Sequence, residues 1–274
     1  MNYQNYQNYH NYRNASAWQY PFNNRQRLLE CYIQDLTYNN RIVEKQPLSL
    51  RLMTYNVNKW ISATGGNNYH HIERILKLIK PDIFALQEYT EYNLPIFRNY
   101  NHQITDGEIM LRSNLVFDEM TTVYGQINNS TIVKLKNNLV VVSLSDVNNY
   151  HLKAILSILN GNYQQNPIVI LGTLNCLQIH DYPNAVLTWL QNNSEELDFH
   201  TIKFLEDNGF VDVFCGMPMS CWSGRRVDFI LTRNVRAIRQ QCYYSAVMCL
   251  CLWILLFKIM YSIHNFSKII LKSK

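Results

Sequence analysis

LMTYNV, at residues 52–57, and PDIFALQE, at residues 81–88, are two apolar, β-forming stretches that each end in a polar side chain. We expect both to be strands. The residues between them, 68–80, carry apolar side chains at helical spacing, namely Ile72, Ile75, Leu76 and Ile79. The pattern predicts a βαβ unit. In open α/β sheets, ligands gather at the carboxyl ends of strands, so we expect Asn56 and Glu88 to face one common pocket.

A second helix-then-strand unit follows later in the chain. Residues 150–160 show helical spacing and a glycine ends the pattern, and the apolar run 168–171 leads into GTLN at residues 172–175. Before this unit, residues 131–135 and 138–144 read as an antiparallel pair. The later unit therefore repeats the organisation of the first.

These stretches resemble the endonuclease/exonuclease/phosphatase superfamily, also called DNase I-like. In that family the first strand ends in Asn, as at Asn56, and a later strand ends in Gln-Glu, as at Glu88. The family's Gly-Asp-x-Asn is similar to GTLN at 172–175, and its Arg-Ile-Asp strand is similar to RVDFIL at 226–231. The resemblance spans about residues 52–247. It implies a four-layer α/β sandwich, in which two mixed β-sheets pack face to face with helices outside.

The resemblance also implies a Mg²⁺-dependent (or Mn²⁺-dependent) phosphodiesterase that hydrolyses phosphoester bonds, with nucleic acid among the candidate substrates. By resemblance, Glu88 would bind the metal, and Asn56 beside it would hold the metal or the phosphate. Asn175 would position the phosphate and the nucleophile, and Asp228 would orient a catalytic histidine. Each residue also has an ordinary structural explanation. An Asn that closes a strand is often a turn former, a Glu after a strand is often a solvated loop end, and Arg-x-Asp can be a structural ion pair.

The sequence departs from the family at the groups that move protons. Thr173 stands where the family has Asp, and a hydroxyl cannot act as a base near neutral pH. The family strand that ends in His-Leu is VVVSLSD at 140–146, without a histidine, and we expect the later His151 to lie at the surface of a helix. The family's Ser-Asp-His motif is missing after Val247. The pair at residues 180–181, His-Asp, is a candidate substitute.

These departures leave open whether the chain is an active enzyme. The chain is expected to be a catalytically impaired phosphodiesterase, and the alternatives are a pseudoenzyme that binds nucleic acid or protein without cleaving it, or a tail-anchored, membrane-associated protein. The formal charge of +5 permits an anionic partner such as nucleic acid or phospholipid. Seven cysteines without Cys-x-x-Cys spacing favour neither a zinc site nor a disulfide framework, which points to a reducing, cytoplasmic compartment. The sequence indicates no oligomeric state.

The two ends of the chain differ in composition from the middle. Residues 1–24 form an Asn/Tyr/Gln-rich tail that we expect to be disordered, and 25–47 read as a leading helix and linker before the domain at 48–247. Residues 248–274 are apolar and then basic. Three alternatives remain for this end: a frameshifted or decayed terminus, a membrane segment within residues 243–263, or a buried terminal helix.

Overall fold

The computed structural model describes most of the chain between residues 49 and 258. The described residues are 45, 49–61, 67, 69–90, 92, 94–106, 108–125, 129–178, 181, 188, 198–213, 226–245 and 250–258, of which 236–245 and 250–258 are described as backbone only. The predicted tail at 1–24 and, apart from Lys45, the leading helix and linker lie outside these residues.

Strands dominate the described part of the chain, which contains twelve strands and three α-helices. The strands are β1 (Leu50–Asn56), β2 (Ile83–Gln87), β3 (His102–Asp106), β4 (Ile109–Ser113), β5 (Phe117–Val123), β6 (Ser130–Leu135), β7 (Val140–Ser145), β8 (Ile168–Thr173), β9 (Val211–Asp212), β10 (Asp228–Arg233), β11 (Arg236–Ser245) and β12 (Leu250–Lys258). The helices are α1 (Tyr69–Ile79), α2 (Asn149–Asn162) and α3 (His200–Asp207).

The strands form two six-stranded sheets. The first sheet has the order β11-β12-β1-β2-β4-β3, and the second sheet has the order β5-β6-β7-β8-β10-β9. Each sheet contains one parallel pair, β1 with β2 and β7 with β8, and its other pairs are antiparallel. Helix α1 connects the first parallel pair and α2 connects the second, so the predicted repetition of a helix-then-strand unit is confirmed.

The sheets pack face to face because their central strands are apolar on both sides. Side chains alternate between the two faces of a strand. In β1, Leu52 therefore packs between the sheets while Met53 packs on the opposite face, against the apolar side of α1. In β8, Leu171 lies between the sheets and Ile170 packs toward α2 and α3. The result is the predicted four-layer α/β sandwich.

The apolar run near the carboxyl terminus is a strand. Strand β12 lies between β11 and β1, and Leu252 of this run pairs with Tyr243 while Trp253 pairs with Thr54. No helix in the described part of the chain is long and apolar enough to cross a membrane. A short apolar run cannot be assigned to strand or helix from its periodicity, which is why the sequence left a helix open. The frameshifted origin and the domain boundary stay predictions.

The expectation that His151 is a surface residue was wrong. Its side chain is buried, and its Nε2 lies 3.0 Å from the carbonyl oxygen of Val123 at the end of β5. Burial lowers the pKa of His151, although the Val123 carbonyl opposes the shift. The contact holds the first turn of α2 against the end of β5.

Gly172 is the point of closest approach between β7 and β8. It pairs with Leu144, and a Cβ atom built on Gly172 would lie 2.1 Å from the Leu144 carbonyl oxygen. Because the clashing atom belongs to the backbone of the neighbouring strand, a rotamer change cannot relieve the contact. The glycine of GTLN is therefore a packing requirement of the parallel pair.

We expect Gly172→Ala to lower the free energy of unfolding by about 3 kcal/mol or more, because one of the two strands must move. Urea denaturation followed by circular dichroism measures the change. Gly161→Ala is the matched control: its Cβ would meet nothing within 4 Å, and alanine in a helix is favoured by up to about 1 kcal/mol. Equal stabilities of the two variants would contradict this account of Gly172.

Candidate functional site

The same alternation that builds the core brings polar side chains together at one end of the sandwich. Asn56 follows Leu52 and Thr54 on the face of β1 that points to the second sheet, and Thr173 follows Leu171 in the same way on β8. Asp228 opens β10 directly opposite Thr173. Three polar residues from two sheets therefore converge where the apolar layer between the sheets ends.

A continuous set of hydrogen bonds joins these residues. Asn56 Nδ2 donates to Glu88 Oε1 at 2.8 Å and to Thr173 Oγ1 at 3.3 Å, and Thr173 Oγ1 donates to Asp228 Oδ1 at 2.5 Å. Asn56, Thr173 and Asp228 are buried, whereas Glu88 is partly exposed. The carboxylate at the rim is thus linked to the buried carboxylate through one amide and one hydroxyl. We refer to these four residues as the cross-sheet cluster.

The orientation of the Asn56 amide follows from its backbone neighbour. The N–H of Asn58 donates to Asn56 Oδ1 at 2.8 Å. A backbone N–H can only donate, so the atom it meets must be the amide oxygen, and the nitrogen must face Glu88 and Thr173. The amide oxygen is turned away from Glu88.

Thr173 does not act as a base in this arrangement. Its hydroxyl hydrogen points to Asp228 and its oxygen accepts from Asn56. The hydroxyl therefore tethers β8 to β1 and β10, and it supplies none of the basicity that a carboxylate would bring.

Asn175 lies at the same end of the second sheet but contacts a different carboxylate. Its Nδ2 donates to Asp146 Oδ1 at 3.0 Å, and the backbone N–H of Asp146 donates to the Thr173 carbonyl at 2.9 Å. Sequence reasoning missed Asp146, because a histidine was sought in that region. Its position directly after β7, next to the end of β8, was the available signal. Among the described contacts, Asn175 is hydrogen-bonded to Asp146 and to no member of the cross-sheet cluster.

Several backbone segments at this end adopt the left-handed conformation. Glu88, Asp146 and Asn175 have φ values of 49°, 49° and 51°, and so do the three residues Asn58–Trp60 that follow β1, at 48°, 52° and 66°. The conformation is unfavourable for residues other than glycine, by about 1–2 kcal/mol each. It is retained because surrounding contacts hold it, including the bond from Lys59 N–H to the Glu88 carbonyl at 2.9 Å. Such strain clusters at functional sites.

A lysine lies among the carboxylates at the rim of the first sheet. Lys59 Nζ lies 2.9 Å from Glu108 Oε1, and its hydrogen bond to Glu108 raises the pKa of Lys59, with a smaller contribution from the charge of Glu88. The rim therefore combines two carboxylates and one ammonium group.

Beneath the rim, buried polar atoms lie between the sheets without a described partner. They are Gln87 Nε2, Thr131 Oγ1 and Ser143 Oγ. Gln87 is the parallel neighbour of Asn56, and its other amide atom, Oε1, accepts from Thr54 Oγ1 at 3.1 Å. Buried polar atoms normally have a hydrogen-bond partner, so these three atoms are among the exceptions in the described part of the chain.

Glu88 is the residue of the cross-sheet cluster that could hold a cation. Glu88 Oε1 accepts from Asn56, while Oε2 has no hydrogen bond to any described residue. Within the described ranges, no three Asp, Glu, His or Cys side chains lie close enough to form a closed metal site. Mg²⁺ is commonly held by one or two carboxylates with several waters retained, and Glu88 meets that requirement.

Comparison with solved structures identifies the architecture. An endonuclease/exonuclease/phosphatase from Beutenbergia cavernae DSM 12333 is similar with a TM-score of 0.56 and 14% identity, covering 77% of this chain and 71% of that one. An AP endonuclease from Archaeoglobus fulgidus matches with a TM-score of 0.58 and 17% identity, over 77% of this chain and 100% of that one. An endonuclease/exonuclease/phosphatase family protein from Leptotrichia buccalis C-1013-b matches with a TM-score of 0.55 and 11% identity, over 77% of this chain and 100% of that one.

The chain has the endonuclease/exonuclease/phosphatase fold. No protein-family model and no curated protein matches its sequence. The DNase I-like fold expected from residues 52–57 and 81–88 is therefore confirmed, at sequence identities that show the fold alone.

Within this endonuclease/exonuclease/phosphatase fold, the arginine of the Arg-x-Asp sequence forms buried ion pairs that stabilise the structure. The guanidinium of Arg226 is fully buried, with Nε 2.6 Å from Asp181 Oδ2 and two further bonds to Asp212. Burial alone would lower the pKa of Arg226, but the two carboxylates outweigh it and raise the pKa above the ordinary arginine value. Asp181 is thus part of a buried ion pair rather than a proton-transfer group, and His180 lies outside the described residues.

The hydroxyl of Thr173 is expected to stabilise the sandwich. We expect Thr173→Val, which keeps the shape but removes the donor to a buried carboxylate, to lower the free energy of unfolding by about 2 kcal/mol. Thr173→Ser keeps the hydroxyl and serves as the control, with a loss of about 1 kcal/mol or less for the missing methyl group. Equilibrium urea unfolding of both variants checks the prediction, and a valine variant as stable as the serine variant would refute it.

Proposed function

We propose that the chain binds a phosphoester at the cross-sheet cluster and hydrolyses it slowly, with a divalent cation, Mg²⁺ or Mn²⁺, held by Glu88. The observation that carries the proposal is the hydrogen-bonded link from Glu88 through Asn56 and Thr173 to Asp228. It gathers a rim carboxylate, an amide and a buried carboxylate at one end of a fold shared with an AP endonuclease.

In this proposal Glu88 is the cation ligand and Asn56 is a positioning residue. Asn56 holds one Glu88 oxygen and leaves the other toward solvent, and its own amide oxygen is engaged by Asn58. A bound cation would neutralise the charge of the phosphate oxygens. The role differs from the contact with the metal or the phosphate that resemblance implied for Asn56.

Asp146 is the group that we assign to accept a proton. It is a partly exposed carboxylate beside Asn175, whose amide orients it. The oxygen of an attacking water forms a bond to phosphorus as the bond to the leaving oxygen breaks, the water's proton passes to Asp146, and solvent protonates the leaving oxygen. Asn175 would align the phosphate and the water.

Turnover is expected to be slow because the base is displaced. Thr173 cannot accept the proton, since its hydroxyl is committed to Asp228. A well-placed general base contributes roughly 10²–10⁴ in rate, and a base on the neighbouring strand recovers only part of it. Asp228 would retain a supporting role through its bond to Thr173.

Nucleic acid is the substrate class we favour. The net charge of +5 is compatible with a polyanion. The committed hydroxyl of Thr173 also favours a second candidate, a pseudoenzyme that holds the phosphoester without cleaving it.

We expect Glu88→Gln to abolish cation-dependent hydrolysis of bis(4-nitrophenyl) phosphate and to abolish Mn²⁺ binding in calorimetry, because the isosteric amide lacks the charge. Glu108→Gln is the matched control, with the same substitution in a neighbouring rim residue that pairs with Lys59. Wild-type turnover equal to that of Glu88→Gln would reject the hydrolase and leave the pseudoenzyme.

We expect Asp146→Asn to lower the turnover of bis(4-nitrophenyl) phosphate by about tenfold or more, since the amide cannot accept the proton of the attacking water. The control is Asp118→Asn, an exposed carboxylate near the start of β5, at the opposite end of the second sheet. If Asp146→Asn keeps the wild-type rate while Glu88→Gln is inactive, the assigned base is wrong and the cation-dependent activity stands.

A further inference from the structure

Two tyrosines stand almost fully in solvent at the end of the sandwich that carries the candidate site. Tyr124 is 81% exposed and follows β5, and Tyr150 is 83% exposed in the first turn of α2. Strand β5 runs parallel to β7 across β6, so its carboxyl end lies at the same edge as Asp146. Tyrosine is enriched at binding interfaces, because it combines an aromatic ring with a polar hydroxyl group.

A polar contact joins the two segments that carry the tyrosines. His151 Nε2 lies 3.0 Å from the Val123 carbonyl oxygen. Tyr150 precedes His151 in the chain, and Tyr124 follows Val123. Asn148 caps the same turn of α2 by accepting from the His151 N–H at 2.9 Å. The pair therefore stands on ordered backbone.

An internal repeat indicates what the Tyr150 position can do. The sequence NNYH occurs at residues 67–70 and at 148–151, each time at the start of a helix that connects a parallel pair of strands. In the first copy Tyr69 stacks on Tyr92, with ring centroids 3.7 Å apart and planes 5° from parallel. In the second copy, Tyr150 has no ring partner among the described residues.

A lysine follows Tyr150 by one helical turn. Lys153 is exposed one turn after Tyr150 on α2, on the same side of the helix, and forms no ion pair with a described residue. An exposed aromatic ring with a lysine one helical turn away suits a nucleotide, whose base can stack on the ring while its phosphate binds the ammonium group.

We propose that Tyr124 and Tyr150 form a stacking platform for unpaired bases of a single-stranded nucleic acid whose scissile phosphate lies at the cross-sheet cluster. The inference rests on the proposed function and specifies its substrate class. Strand β5 lies three strand spacings from β8, about 14 Å. The platform therefore contacts bases that flank the phosphate, and it gives little preference for sequence because every base has an aromatic face.

Binding without cleavage tests the platform directly. The full chain in EDTA is titrated into a fluorescein-labelled 12-nucleotide single strand, as DNA and as RNA, and into the matching duplex, with anisotropy as the readout. We expect Tyr150→Ala and Tyr124→Ala each to raise the Kd for the single strand about tenfold or more, and Tyr150→Phe to restore wild-type binding. The duplex Kd should not change. Val211→Ala is the control, because Val211 is exposed on β9, away from this end.

Unchanged single-strand binding by both alanine variants would overturn the platform, and so would wild-type protein that binds no oligonucleotide. Self-association that Tyr150→Ala abolishes, in the absence of nucleic-acid binding, would assign the tyrosines to a second copy of the chain and overturn it as well. In each of these cases, Glu88-dependent hydrolysis of bis(4-nitrophenyl) phosphate would show that the proposed function survives. If the wild-type protein shows no such hydrolysis, the proposed function is rejected instead.

Discussion

The amide of Asn56 can be oriented in only one way, because the Asn58 N–H beside it can donate but not accept. The arrangement of the cross-sheet cluster depends on that constraint. With the oxygen committed, both amide hydrogens point outward, one to Glu88 on the first sheet and one to Thr173 on the second. A single side chain thereby sets the position of a rim carboxylate and links the ends of two strands that belong to different sheets.

Buried hydrogen bonds and ion pairs hold the end of the second sheet that carries Thr173. Thr173 makes a short bond to Asp228, and Arg226 two residues earlier binds two buried carboxylates. Both arrangements stabilise the end of β10 against its neighbours. Removing one partner of such a buried ion pair typically costs about 3–5 kcal/mol. Asp228 is therefore held among buried partners, whereas Asp146 is partly exposed and Asn175 is exposed at the edge of the site.

The sequence predicted the elements whose apolar pattern is unambiguous. Strands β1 and β2 and helix α2 were found almost to their bounds, because they bury one or both faces. Strand β5 was missed since its exposed face is polar, as expected at the edge of a sheet, and β12 was left open because a uniformly apolar run has no period. The site residues at the strand ends could be predicted from their residue types and their order in the sequence. The contact of Asp146 with Asn175 could not be predicted, because it exists only once β7 and β8 are adjacent and parallel.

The place of β12 in the first sheet bears on how the protein is made. Thr54 pairs with Ala85 on one side and with Trp253 on the other, so β1 meets its second neighbour only when nearly the whole domain has left the ribosome. Until then, the outer edge of β1 is an unpaired row of backbone donors and acceptors that can template pairing with other chains. Biosynthesis of this protein therefore includes an interval in which the strand carrying Asn56 needs protection from aggregation.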